Sequence, residues 1–367
     1  MPEHISSEDN ITLAVIKNHK TRLFFVDCLK AISITAVVSY HSLFIPKSTY
    51  IDSALLIDSL FSPLRFCVPV LLTISFMLLE RGLSIDSASI TSIIKKRLTR
   101  LAIPTIFWFS LVAILKLVTG NSITQIAIEI FKGEIFTGAY YLLILFQLIP
   151  LYLWCRHWLT SFRNFIFIFA IQILFYVLIN IVIEQKLQLF TILTTIGRAP
   201  FVYWFVYAAL GGFTYKNLAK LLKISSSIPV KVKLIILIIT SIALFKNYNY
   251  LNKITYGAVE PFEYIIVPCI FSTVAFIICF ISIQEKQLTS FLVKVIKLLS
   301  KYSLGIFCLN GILYLFLLSL STKLLQNAIF DFKQLLLLKL CGWCLLLITS
   351  LGLSIILDKI GLKKIVC

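Results

Sequence analysis

Apolar residues run along this chain in continuous stretches of fifteen to twenty or so, separated by short polar segments. At a rise of 1.5 Å per residue, about twenty residues match the ~30 Å apolar thickness of a bilayer. Such windows predict about ten spanning helices, near 24–45, 60–80, 101–118, 139–154, 163–183, 199–215, 233–247, 262–283, 302–320 and 335–357. The fourth and seventh are short enough to lie tilted or half-buried. Strands of a membrane barrel would alternate apolar and polar positions, which these runs do not. The expected fold class is therefore all-α, a polytopic membrane bundle. Neither an internal repeat nor a large soluble domain interrupts it. The chain divides into a tail (1–22), a transmembrane domain (23–358) and a second tail (359–367). The first tail is polar and leads directly into the first apolar run, so no cleavable signal is expected.

Composition agrees with this pattern. The chain is 59% hydrophobic and only 14% charged, too little charge to cover a water-soluble surface. The net charge of +18 raises the question of nucleic acid, and its placement argues against it. Most of the Lys and Arg fall in alternate connections, such as Lys95 to Arg100, Lys216 to Lys233 and Lys286 to Lys301. The intervening connections carry single residues such as Lys132 or Lys186. By the positive-inside rule this predicts both termini in the cytoplasm, and it directs the charge toward anionic lipid head groups. The nine cysteines are scattered singly through apolar runs and read as small apolar side chains. Cys341 and Cys344 form a CxxC pattern, but without the βαβ surroundings that redox use of the motif requires.

Function must then come from polar groups in or beside the membrane. The first apolar run contains "DCLKAISITAVVSYH", with Asp27, Lys30 and His41. Ionisable groups are expensive there unless paired or facing a wet cavity. Asp27 and Lys30 are three residues apart on a helix and near enough to neutralise each other. His41 lies eleven residues beyond Lys30, about 16 Å along the axis and within ~20° of the same face. A polar stripe from one side of the membrane toward the other is one reading. The other is a charged pair at the interface and a histidine bonded to a carbonyl. A second cluster, "SIIKKRLTRLAIP", sets Lys96, Arg97 and Arg100 at the expected start of the third helix. Arg97 and Arg100 share a face, and guanidinium forks match phosphate oxygens. A helix N-terminus would add its dipole. The alternative is a positive-inside flank.

Lys30-x10-His41 after Asp27, followed by Arg97-x-x-Arg100, resembles the membrane-bound acyltransferase 3 family, whose first helix carries Arg-x10-His after an Asp and whose third opens with Arg-x-x-Arg. "VPVLLTISFML" (68–78), "PFVYWFVYAALGGF" (200–213) and "SKYSLGIFCLNGILY" (300–314) are similar to further helices of that family in the same order. The resemblance spans most of the chain. It departs where Lys30 replaces the usual Arg, where Ser75-Phe76 lacks an intervening Gly, and where Tyr140-Tyr141-Leu142 replaces His-Leu-Trp. Asn310-Gly311 also stands in place of a late His-Pro.

The resemblance implies transfer of an acyl group, most often acetyl, from cytoplasmic acyl-CoA to a hydroxyl of an envelope polysaccharide or a lipid-linked sugar. Arg97, Arg100 and Lys96 would hold the CoA phosphates. His41 would act as general base or as covalent acceptor of the acyl group, with Asp27 positioning Lys30. No metal is expected. Glu260, Glu263, Tyr140 and Asn310 are the candidates for acceptor binding, the two acids being read alternatively as a solvated helix start. The expected partners are the bilayer, the glycan acceptor and glycan synthesis or export machinery, and the expected location is the plasma (inner) membrane. Two other readings remain open at this point, a polysaccharide exporter and a non-catalytic partner of a glycan synthase.

Overall fold

The computed structural model describes residues 22–85, 90–159, 161–325 and 328–367. The expected tail 1–22 thus lies outside the described residues except for Arg22, and Lys17 and Lys20 lie outside with it. Among the described residues the regular elements are all helices: α1 (Phe24–Tyr40), α2 (Ile51–Phe61), α3 (Cys67–Ile85), α4 (Ile90–Val118), α5 (Ile123–Lys132), α6 (Tyr140–Leu159), α7 (Phe162–Glu184) and α8 (Gln188–Ile196). There follow α9 (Phe205–Lys216), α10 (Leu218–Ser227), α11 (Val230–Ile254), α12 (Val267–Phe280), α13 (Ser290–Lys301), α14 (Ser303–Leu324), α15 (Phe332–Lys359) and α16 (Lys363–Val366).

A helix occupies every apolar stretch read from the sequence. By length and composition, six segments can cross a membrane: Ser53–Ser84, Thr91–Val118, Tyr140–Leu159, Phe162–Glu184, Ser303–Leu324 and Phe332–Lys359. The pair α10 and α11, bent by 105°, makes a seventh if it is one broken span. Hydropathy windows count about ten, and the difference lies in α1, α9 and α12. These have 17, 12 and 14 residues, which is about 26, 18 and 21 Å of helix, short of a ~30 Å core. Their position explains it. Most side chains of α1, α9 and α12 are buried among other helices. By contrast, only 22% of the most apolar window of α15 is buried, against 78% for Ser53–Ser84. Apart from Ser53–Ser84, the long helices face outward, and the short ones fill the centre, where neighbouring protein rather than lipid sets the length.

Backbone contact locks that centre. Gly211 and Gly212 of α9 press against α3 and α6. A Cβ on Gly211 would stand 2.7 Å from Phe76 Cβ and 2.8 Å from Met77 N, and one on Gly212 2.9 Å from Tyr152 Cζ. Glycine here permits approach rather than an unusual dihedral. Gly211→Val is expected to cost about 3 kcal/mol by overpacking, seen as a lower thermal midpoint in detergent. Gly352→Ala, which meets nothing within 4 Å, is the control that leaves the midpoint in place.

Beside this contact, Glu80 of α3 is completely buried. Tyr152 donates to it at 2.8 Å, Arg156 at 2.8 and 3.0 Å, and Lys216 stands 3.7 Å away. One carboxylate therefore joins α3, α6 and α9 at the end of the bundle that also holds Arg97 and Arg100.

Candidate functional site

At that end, a pocket of about 280 Å³ opens among α1, α3, α4, α6, α13 and α14. Lys30, Arg97, Arg100 and Lys301 supply basic side chains to its wall. Leu71, Phe76, Leu79, Leu145, Ile149 and Phe307 make the rest largely apolar, with Ser75 and Tyr141 among them. Those two hydroxyls lie 3.1 Å apart. Four basic side chains beside an apolar wall suit an anionic group carrying a less polar arm. Lys301 bonds Asp358 Oδ2 at 2.7 Å and Tyr302 Oη at 2.8 Å. Those two partners hold its ammonium above the ordinary lysine value, so its charge persists through the neutral range.

The structure thus brings Lys30, Arg97 and Arg100 to one place and corrects three details. First, α4 begins at Ile90, so Arg97 and Arg100 lie about two turns inside it, and no dipole terminus aids them. "SIIKKRLTR" contains no helix breaker and its exposed lysines are solvated, so the helix continues past the apolar run. Arg97 is tied instead to the Leu78 carbonyl at 3.0 Å. Second, Lys96 is exposed and is not among the lining residues. Third, Asp27 does not pair with Lys30. Arg22 Nη2 reaches Asp27 Oδ1 at 3.0 Å and Ser300 Oγ donates to the same oxygen at 2.5 Å. Arg22 precedes the helix and folds back on it, so Asp27 fastens α1 to α13. Among the described residues no carboxylate lies within 4.0 Å of Lys30.

His41 terminates α1 at the other end. Its ring lies 5.9 Å from Tyr40 and 5.7 Å from Tyr314, centre to centre. Lys339 of α15, buried, reaches the Tyr40 carbonyl at 3.4 Å and lies 4.4 Å from the centre of the Phe61 ring. Gly342 allows this approach, since a Cβ there would stand 3.0 Å from Phe44 Cε1. The Trp343 indole also donates to the Thr35 carbonyl at 3.2 Å.

Glu260, Glu263 and Tyr140 gather at the same end around Arg198. Its guanidinium pairs with Glu260 at 2.6 Å and with Glu263, and lies 5.4 Å from the Tyr140 ring centre. Glu263 is buried in the 3₁₀ turn Phe262–Tyr264, which excludes the solvated helix start for it. Its second cation is Arg65, 3.6 Å away and enclosed by the rings of Tyr40, Tyr248 and Tyr264. Glu260 is 80% exposed in its side chain and marks the open side of the cluster. Asn310 belongs to neither end and sits wholly buried in α14.

Three residues escaped the sequence reading: Arg65, Lys339 and Glu80. Each is an ionisable residue within or at the edge of an apolar run, the same signal that singled out Lys30. The cysteines are all unpaired, and Cys341 and Cys344 are exposed on α15.

The family profile described as "Acyltransferase domain" matches residues 23–359. No curated protein and no solved structure matches the chain. With a match over nearly its whole length, on a bundle built of long apolar helices, the chain belongs to the acyltransferase 3 family and is a multi-pass membrane acyltransferase.

Proposed function

We propose that this enzyme moves an acyl group, acetyl being favoured, from cytoplasmic acyl-CoA to a hydroxyl of an envelope polysaccharide or lipid-linked sugar at the plasma membrane. The observation that carries the reading is the convergence of Lys30, Arg97 and Arg100 on one pocket whose remaining wall is largely apolar. The phosphates of CoA suit the basic side chains, and its neutral arm suits the apolar wall. Placing this end in the cytoplasm follows from the distribution of Lys and Arg in the connections. His41, at the other end of α1, is the group suited to accept a proton from the sugar hydroxyl or to carry the acyl group itself. Around it, Arg198, Glu260 and Tyr140 offer the charges and ring face that hold polyols. Glu263, buried behind them, orients Arg198.

Ester content of the surface glycan is the test. A strain lacking the gene is expected to lose base-labile acyl groups and to regain them with the wild-type chain. Arg100→Ala, present in the membrane at equal amount, is expected to restore less than a tenth. Normal esters in the deletion strain, or full restoration by Arg100→Ala, would refute the assignment.

A further inference from the structure

Two buried polar side chains on α1 and α14 have nothing to bond among the described residues. Asn310 is 0% exposed, and among the described residues neither atom of its amide makes a hydrogen bond. Ser33 of α1 is equally buried, and its hydroxyl is equally without a partner. Leaving such a group unsatisfied costs about 1–3 kcal/mol, so native interiors rarely keep one without cause.

Their level in the bundle gives the cause. The helices α1 and α14 meet the same two places. Lys30 and the trio Ser303, Leu304 and Phe307 line the pocket, while His41 and Tyr314 bring their rings to 5.7 Å. Both intervals, 30 to 41 and 303 to 314, are eleven residues or about 16 Å of rise, so the two helices run in the same direction. Ser303, Phe307, Asn310 and Tyr314 follow one another at the spacing of a single helical face. Asn310 stands one turn beyond Phe307, and Ser33 one turn beyond Lys30. The unpaired groups therefore lie, along the two helices, at levels between the pocket and the imidazole.

We infer that Asn310 and Ser33 form a subsite for the amide groups of the pantetheine arm. This rests on reading the basic pocket as the acyl-CoA site. Drawn through a dry interior, each amide of the arm must find a partner or lose its hydration without return. The asparagine side chain supplies two donors and an acceptor, and the serine hydroxyl one donor and two acceptor lone pairs. Bonds to the arm satisfy both sides at once. The passage is thereby selective for an amide-bearing thioester over an equally long hydrocarbon chain.

The test compares CoA with adenosine 3′,5′-bisphosphate, its nucleotide end alone, on the purified full chain. Asn310→Leu is expected to weaken CoA about tenfold and Ser33→Ala severalfold, with the bisphosphate bound as in wild type. The thermal midpoint of Asn310→Leu is expected to hold or rise, because an apolar side chain replaces an unpaired amide. Arg100→Ala is expected to weaken both ligands. If it weakens neither, the donor site itself is wrong. If it weakens both, yet Asn310→Leu and Ser33→Ala bind CoA like wild type, the subsite is overturned and the donor site stands. Should Asn310→Leu fail to fold, Ser33→Ala decides, since its small volume change leaves packing intact. Unchanged CoA affinity there overturns the subsite.

Discussion

His41→Ala is expected to slow acyl transfer by about 100- to 10,000-fold, the range over which a positioned proton acceptor acts. CoA affinity is expected to stay at the wild-type value, because the pocket wall at Lys30 lies about 16 Å away along α1. The split separates a chemical role from a structural one. A histidine that merely filled space would lower activity together with folded yield. Rates with labelled acetyl-CoA and acceptor, alongside equilibrium binding of CoA, read the two quantities apart. Wild-type turnover in His41→Ala would remove the residue from the chemistry. Rapid denaturation near neutral pH without acceptor goes further. Label retained on the wild-type chain and lost from the variant means an acyl-histidine, and label on neither means a general base.

The largest expected effect on stability belongs to Glu80→Ala. Its carboxylate is buried with Tyr152, Arg156 and Lys216 around it. Removing it leaves two cations and a hydroxyl facing a cavity, a loss of about 3–5 kcal/mol for breaking a buried pair from one side. A marginally stable membrane bundle would show this as a sharp fall in folded yield and thermal midpoint. Glu80→Gln retains an acceptor for the Tyr152 hydroxyl and is expected to lose less. Equal midpoints for wild type and Glu80→Ala would mean that the network contributes nothing to holding α3, α6 and α9 together.

The long helices and the basic cluster were legible because their signals are local. Twenty apolar residues announce a span whatever surrounds them, and Arg97 with Arg100 share a face wherever their helix begins. What escaped depends on contacts distant in sequence. Asp27 looked paired with Lys30 at three residues, but Arg22 folds back from outside the helix and Ser300 arrives from α13. Glu263 looked solvated because nothing local shows that Arg65 and Arg198 enclose it. Lys339 was passed over although it lies close to the CxxC pattern, which drew attention to the wrong side of α15. The ends of α1, α9 and α12 escaped because a hydropathy window cannot tell a helix bathed in lipid from one enclosed by protein.

Those short central helices also shape the electric field. A membrane potential falls mainly across dry, weakly polarisable material, and moving one elementary charge through 100 mV costs about 2.3 kcal/mol. Where helices of 12 to 17 residues replace full-length spans, the same voltage drops over a thinner dry layer. A neutral arm crosses that narrow zone without electrical work. A phosphate would have to do that work, so on the proposed reading the cations belong at the mouth, before the field becomes steep.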